Sequence, residues 1–190
     1  APAIACGNAF ILKPSERDPS VPLMLAELME EAGLPKGILQ VINGDKEAVD
    51  ALLHHDVVQS IGFVGSTPIA EYIYATGCAN GKRVQALGGA KNHAIIMPDA
   101  DVDNAVSALM GAAFGSCGER CMAIATIVTV GDIHDPLIEA IKERLPQVII
   151  GDGTDPASLM GPLVTEQHRE RLGTDVVGGA GDGMTETFRV

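Results

Sequence analysis

Short β-branched apolar runs alternate with amphipathic stretches along the first half of this 190-residue chain. No other feature limits the possible folds as much. Phe10–Leu12, Leu39–Ile42 and Ser60–Val64 read as strands. Between the first two, Val21, Met24, Leu25, Leu28 and Ala32 recur at helical spacing, with Ser20 as a cap and Gly33 as a stop. Ala48–Leu53 reads as a second helix, and Pro68–Ala75 opens a third, with Thr67 as its N-cap and Pro68 as its first residue. Strands that alternate with helices and read as uninterrupted apolar runs predict an α/β fold. Its core is an open parallel sheet covered on both faces.

The second half changes character. Arg83–Leu87 reads as extended and leads into Gly88-Gly89, and His93–Met97 and Ala125–Val130 read as strands. Asp101 caps a helix carrying Val102, Ala105, Val106, Leu109, Met110 and Ala113 on one face, and Asp135-Pro136 starts another with Leu137, Ile138, Ile141 and Leu145 inward. A domain boundary is expected near residues 85–88, dividing the chain into 1–86 and 87–172. The tail 173–190 is Gly-rich without a period and reads as linker or disorder. Its Gly179-x-Gly181-x-Gly183 lacks the strand before and the helix after that a phosphate loop requires.

Composition narrows the function classes. Hydrophobic residues make up 46%, which is enough for a packed core, and the net charge is −12 with 13 basic residues. Such an acid excess disfavours nucleic acid and anionic membranes as partners. No apolar run reads as a membrane span or a signal peptide. Four cysteines, at positions 6, 78, 117 and 121, have neither the density of a secreted scaffold nor paired zinc spacing. They fit a reducing compartment, the cytoplasm of a bacterium or the mitochondrial matrix of a eukaryote, and no metal site is expected. Asp99, Asp101 and Asp103 read as turn and cap residues, and His54-His55 as a helix end.

Three segments carry chemistry. Phe114-Gly115-Ser116-Cys117-Gly118-Glu119-Arg120-Cys121-Met122-Ala123 puts a thiol on a tightly bent Gly-rich turn between a helix and a strand. A nucleophile can be reached there, and backbone N–H groups can face an oxyanion, although a plain turn cysteine fits the same pattern. Cys117 and Cys121, four apart, also leave a redox pair open. Lys13-Pro14-Ser15-Glu16 lies just past a strand's carboxyl end, where α/β sheets bind ligands. Lys13 can donate to hydroxyls and Glu16 can accept from a ribose diol; a surface ion pair is the other reading. Gly65-Ser66-Thr67-Pro68 joins a strand to a helix N-terminus, where a pyrophosphate would sit.

In register, these segments resemble the aldehyde dehydrogenase superfamily from Ala3 to about Leu172. The matching motifs are Gly7-Asn8…Lys13-Pro14-Ser15-Glu16, Gly33-Leu34-Pro35-x-Gly37 with Val41-Ile42-Asn43-Gly44, Phe63-x-Gly65-Ser66, Gly89-x-Lys91 and Gly118-x-x-Cys121. The resemblance implies a Rossmann-like NAD-binding domain followed by part of an α/β catalytic domain. It implies Lys13 and Glu16 on the adenosine ribose with Arg17 nearby, and Gly65, Ser66 and Gly88 around the rest of the cofactor. It implies Cys121 as the nucleophile that forms a thiohemiacetal and then a thioester.

Hydrolytic members carry a glutamate before Leu-Gly-Gly-Lys that activates water; alignment on Lys91 or on Cys121 places that position at Leu87. Leucine cannot take a proton, so a thiol is the expected acyl acceptor, and coenzyme A is the natural one. The blocks Arg83–His93 and Gly118–Ala123 are similar to the CoA-acylating methylmalonate-semialdehyde dehydrogenases. That family turns methylmalonate or malonate semialdehyde, with NAD and CoA, into propionyl- or acetyl-CoA and CO₂ in valine and inositol catabolism. Arg120 can hold the substrate carboxylate through paired hydrogen bonds, unless it pairs with Glu119 instead. By the same resemblance the chain is an internal piece of a homodimeric or homotetrameric parent. It is expected to lack an upstream oxyanion asparagine, a further substrate arginine and a downstream glutamate for the nicotinamide ribose, and its tail does not match the family. The alternatives are a hydrolytic aldehyde dehydrogenase with a displaced base and a noncatalytic nucleotide-binding piece.

Overall fold

A computed structural model describes residues 1–170. The chain divides into two compact units, and the division falls between Gly88 and Gly89. The predicted tail from residue 173 lies outside the described residues.

The first unit contains α1 (Pro2–Ala5), β1 (Phe10–Leu12), α2 (Ser20–Glu31), β2 (Leu39–Val41), α3 (Lys46–His54), β3 (Ser60–Val64), α4 (Thr67–Ala79) and β4 (Arg83–Leu87). β1 pairs in parallel with β2, and β3 with β4, in register Ser60 to Arg83 through Val64 to Leu87. Parallel neighbours need a crossover, and α2 and α4 supply one for each pair. α4 packs so closely on β4 that a Cβ at Gly77 would lie 2.6 Å from Val84 Cγ2 and 3.5 Å from Leu53 Cδ2. Leu53, Ala70 and Ile73 are buried in this unit. Lys82 is also buried, and its ammonium donates to the carbonyls of His55 and Val58, both at 2.7 Å.

The second unit begins with β5 (Asn92–Ile96) and α5 (Val102–Phe114), and continues with a 3₁₀ turn (Gly115–Gly118), β6 (Ile124–Thr129) and α6 (His134–Arg144). α5 and α6 close a core of Val106, Leu109 and Leu137 over Ala94, Ile96, Ile124 and Ile127 of the strands. Asp101 caps α5 as expected, accepting from the Asn104 N–H at 3.0 Å. The parallel β5–β6 register shifts between Asn92, opposite Ile124, and His93, opposite Thr126, leaving Ala125 as an extra residue.

The structure corrects three expectations. In place of one open sheet, the described strands form three separate parallel pairs. Their faces are not both covered, because Val64, Leu87, Ile95 and Val128 are exposed. Apolar runs specify a strand's environment but not which strand completes its hydrogen bonding. Pro19, not Ser20, is the N-cap of α2, and Ser66, not Thr67, is that of α4, so each helix starts one residue earlier than read.

Candidate active site

The 3₁₀ turn after α5 presents the cysteines. Ser116 (φ 56°) and Cys117 (φ 57°) both adopt the left-handed conformation, and Gly118 (φ 68°) follows. Two consecutive non-glycine residues in that region hold strain that neighbouring contacts must offset. Two such contacts come from the segment after residue 160. The Cys117 thiol donates to the Gly161 carbonyl at 2.7 Å, and Glu119 Oε1 lies 2.9 Å from His168 Nδ1. Burial, with the Glu119 charge second, pushes the Cys117 thiol above its ordinary pKa.

Cys121 is exposed just beyond this turn, and all the cysteines are free. The backbone around it is fixed from β5. The Asn92 side-chain amide donates to the carbonyls of Cys121 at 2.8 Å and Ala123 at 3.0 Å. The Arg120 guanidinium lies against the backbone of Gly115, where an added Cβ would fall 2.9 Å from Nη1. Among the described residues the guanidinium makes no ion pair, since Glu119 is engaged by His168. An exposed thiol beside an unpaired guanidinium can attack a carbonyl carbon of a molecule that also carries an anion.

The first unit gathers its predicted residues at the carboxyl ends of its strands. Gly65 and Gly88 follow the paired strand ends Val64 and Leu87, and the Gly65 N–H donates to the Leu87 carbonyl at 3.1 Å. A Cβ at Gly88 would meet Thr67 Cα at 3.1 Å, so only glycine lets this backbone approach the start of α4. Ser66, the N-cap, makes no side-chain cap bond and is exposed, as is Gly65. The result is a glycine-lined approach to the start of α4, where the positive end of the helix dipole favours an anion.

At the end of β1, Lys13 donates to the Gly44 carbonyl at 2.6 Å and lies 3.5 Å from Glu16 Oε2. A backbone hydrogen bond and the Lys13 charge hold the Glu16 carboxyl below its ordinary pKa, leaving it an acceptor. Arg17 adds its charge to Glu16, while its backbone N–H donates to Ser15 Oγ at 3.2 Å. Its guanidinium makes no hydrogen bond among the described residues. Sequence reasoning missed Asn92, Gly115 and the Glu119–His168 pair. Asn92 left one trace, as a polar residue between the Gly88-Gly89 turn and an apolar strand, whereas His168 left none.

A family model described as the aldehyde dehydrogenase family matches residues 1–186. The chain belongs to the aldehyde dehydrogenase family. The match continues past Leu172, where the resemblance was read as ending, and takes in most of the tail read as foreign to the family. The malonate-semialdehyde dehydrogenase of Pseudomonas aeruginosa is 63% identical over 182 residues, covering 95% of this chain and 37% of that protein. Malonate-semialdehyde dehydrogenase 3 of Geobacillus kaustophilus is 54% identical, covering 89% of this chain and 35% of that protein. The solved structure of an Oceanimonas doudoroffii methylmalonate-semialdehyde dehydrogenase superposes with a TM-score of 0.87 at 60% identity, covering 92% of this chain and 36% of that one. A Sinorhizobium meliloti 1021 protein assigned to the same activity and crystallised with NAD gives a TM-score of 0.89 at 59% identity, covering 94% and 37%. The chain therefore spans a little over a third of the length of these aldehyde dehydrogenases.

Proposed function

We propose that the full-length enzyme carrying this segment oxidises malonate or methylmalonate semialdehyde and delivers acetyl- or propionyl-CoA. The observation that carries this reading is the exposed Cys121 thiol next in sequence to an Arg120 guanidinium that has no acidic partner among the described residues. Bound NAD supplies the hydride acceptor. Lys13 and Glu16 hold its adenosine ribose, and Gly65, Ser66 and Gly88 let the phosphates approach the start of α4. These residues fit the cofactor because the Gly88 backbone leaves no room for a side chain and Glu16 stays ionised.

Arg120 holds the substrate carboxylate and turns the aldehyde carbon toward Cys121. The Cys121 thiolate adds to that carbon, giving a thiohemiacetal whose oxyanion can meet the Cys121 N–H, which makes no hydrogen bond among the described residues. Departure of the hydride leaves a thioester on Cys121; its carboxylate then leaves as CO₂, and the resulting thioester enolate takes up a proton from water to give the acetyl or propionyl group. Leu87 cannot activate water, so the CoA thiolate attacks the acyl carbon and displaces Cys121.

The test is intact mass of the full-length enzyme after incubation with malonate semialdehyde and NAD, with and without CoA. The expected result is an acyl adduct on Cys121 that persists without CoA and is discharged by it as acetyl-CoA. Loss of the adduct at equal rate in CoA-free buffer would replace this reading with a hydrolytic one.

A further inference from the structure

We infer that His168 is a specificity-positioning residue, which binds Glu119 so that the neighbouring Arg120 stays free to recognise an anionic substrate. This rests on the reading of Arg120 as the carboxylate-binding group. The Glu119-Arg120 order places a carboxylate and a guanidinium on adjacent residues just before the nucleophile. Left alone, such a pair would close on itself or compete with the substrate for the guanidinium. In the structure Glu119 is engaged by His168 instead. Its Oε1 lies 2.9 Å from His168 Nδ1, and both side chains are mostly shielded, at 29% and 27% exposure. Arg120 instead rests on the bare backbone of Gly115.

A second contact makes the arrangement firm. The Cys117 thiol bonds the Gly161 carbonyl at 2.7 Å, so the stretch carrying His168 is joined to the turn at two points. Both points bracket Gly118, and Arg120 and Cys121 lie immediately beyond them. Among the described residues His168 makes no hydrogen bond or ion pair with Cys121 or Arg120, so its effect runs through Glu119. Without it, Glu119 is released as an internal anion that competes for Arg120.

The experiment compares the wild-type full-length enzyme with His168→Ala and with Glu119→Gln/His168→Ala. Substrates are malonate semialdehyde and propanal, an uncharged aldehyde of the same carbon count. A second readout is the ratio of Cys121 alkylation rates by iodoacetate and iodoacetamide, which reports on the free guanidinium without requiring turnover. His168→Ala is expected to raise KM for the semialdehyde about tenfold, the weight of one charge-assisted hydrogen bond, with kcat and the propanal KM little changed. The iodoacetate preference is expected to fall in parallel, and the double variant restores both readouts. Equal effects on both aldehydes, or a double variant no better than the single, would overturn the inference. So would an unchanged alkylation ratio in a His168→Ala protein that melts like wild type. Should the wild type fail to oxidise the semialdehyde while the alkylation pattern holds, the substrate reading falls and the His168 device stands.

Discussion

Cys117 and Cys121 lie on one turn but meet different surroundings. Cys121 is exposed, whereas the Cys117 thiol is half-buried, bonded to Gly161 and held above its ordinary pKa by burial and then by Glu119. A raised thiol pKa means less thiolate at any given pH. Alkylation near neutral pH followed by peptide mapping should therefore modify Cys121 first, with Cys117 reacting only at clearly higher pH. The sign also fixes a stability effect. The Cys117 contribution is complete below the ordinary thiol pKa and is lost as pH rises toward the raised one. Leu87 allows a second test. Leu87→Glu in the full-length enzyme should raise CoA-independent thioester hydrolysis, by a factor on the order of 10² or more if the new carboxylate works as a general base. An unchanged rate of CoA-free NADH production after the first turnover would count against the account of the missing base. Cys121 was legible because a thiol on a Gly-rich turn is a local pattern. Asn92 was barely legible, since its partners at Cys121 and Ala123 lie far along the chain and only folding brings them together.

α4 shows what an element owes to one small residue. Gly77 is buried where the helix crosses β4, and any side chain there would press into Val84 and Leu53. Gly77→Val should destabilise the chain by about 1–3 kcal/mol through overpacking, measurable as a lower urea midpoint. The smaller Gly77→Ala is expected to be milder, because helix propensity offsets part of the clash. At this scale the sequence was most readable. β1, β3 and β4 lie where the apolar runs put them, β2 ends one residue early, and β5 and β6 each begin and end one residue early. Helix starts were less readable. Ser20 and Thr67 look like caps, yet the preceding Pro19 and Ser66 hold the half-helical position, because backbone geometry rather than the side-chain list decides it.

Across the chain the apolar surface is unevenly covered. Val21, Met24, Leu25 and Leu28 form the helical-period face of α2, and each is at least half exposed. In the second unit, the β5–β6 face away from α5 and α6 exposes Ile95 and Val128 as a cross-strand pair. Clustered apolar side chains of this kind drive association in water. The 190-residue chain on its own should therefore self-associate, seen as light scattering that grows with concentration. A monodisperse monomer would show that these faces are shielded. Which faces these are was not legible in the sequence, because an apolar residue states a preference for burial and not whether a partner surface is present.

The paired left-handed residues also bear on durability. Ser116 and Cys117 hold a backbone shape that glycine adopts without strain, at about 1–3 kcal/mol for each side chain so placed. Of the two, only Cys117 makes a side-chain hydrogen bond among the described residues, to Gly161. Ser116 is thus a stabilising substitution awaiting use: Ser116→Gly should raise the melting temperature while leaving the thiol, the guanidinium and the Asn92 clasp in place. That the chain carries serine there suits a protein selected for sufficient rather than maximal stability, and it marks where heat tolerance can be added beside the nucleophile without altering it.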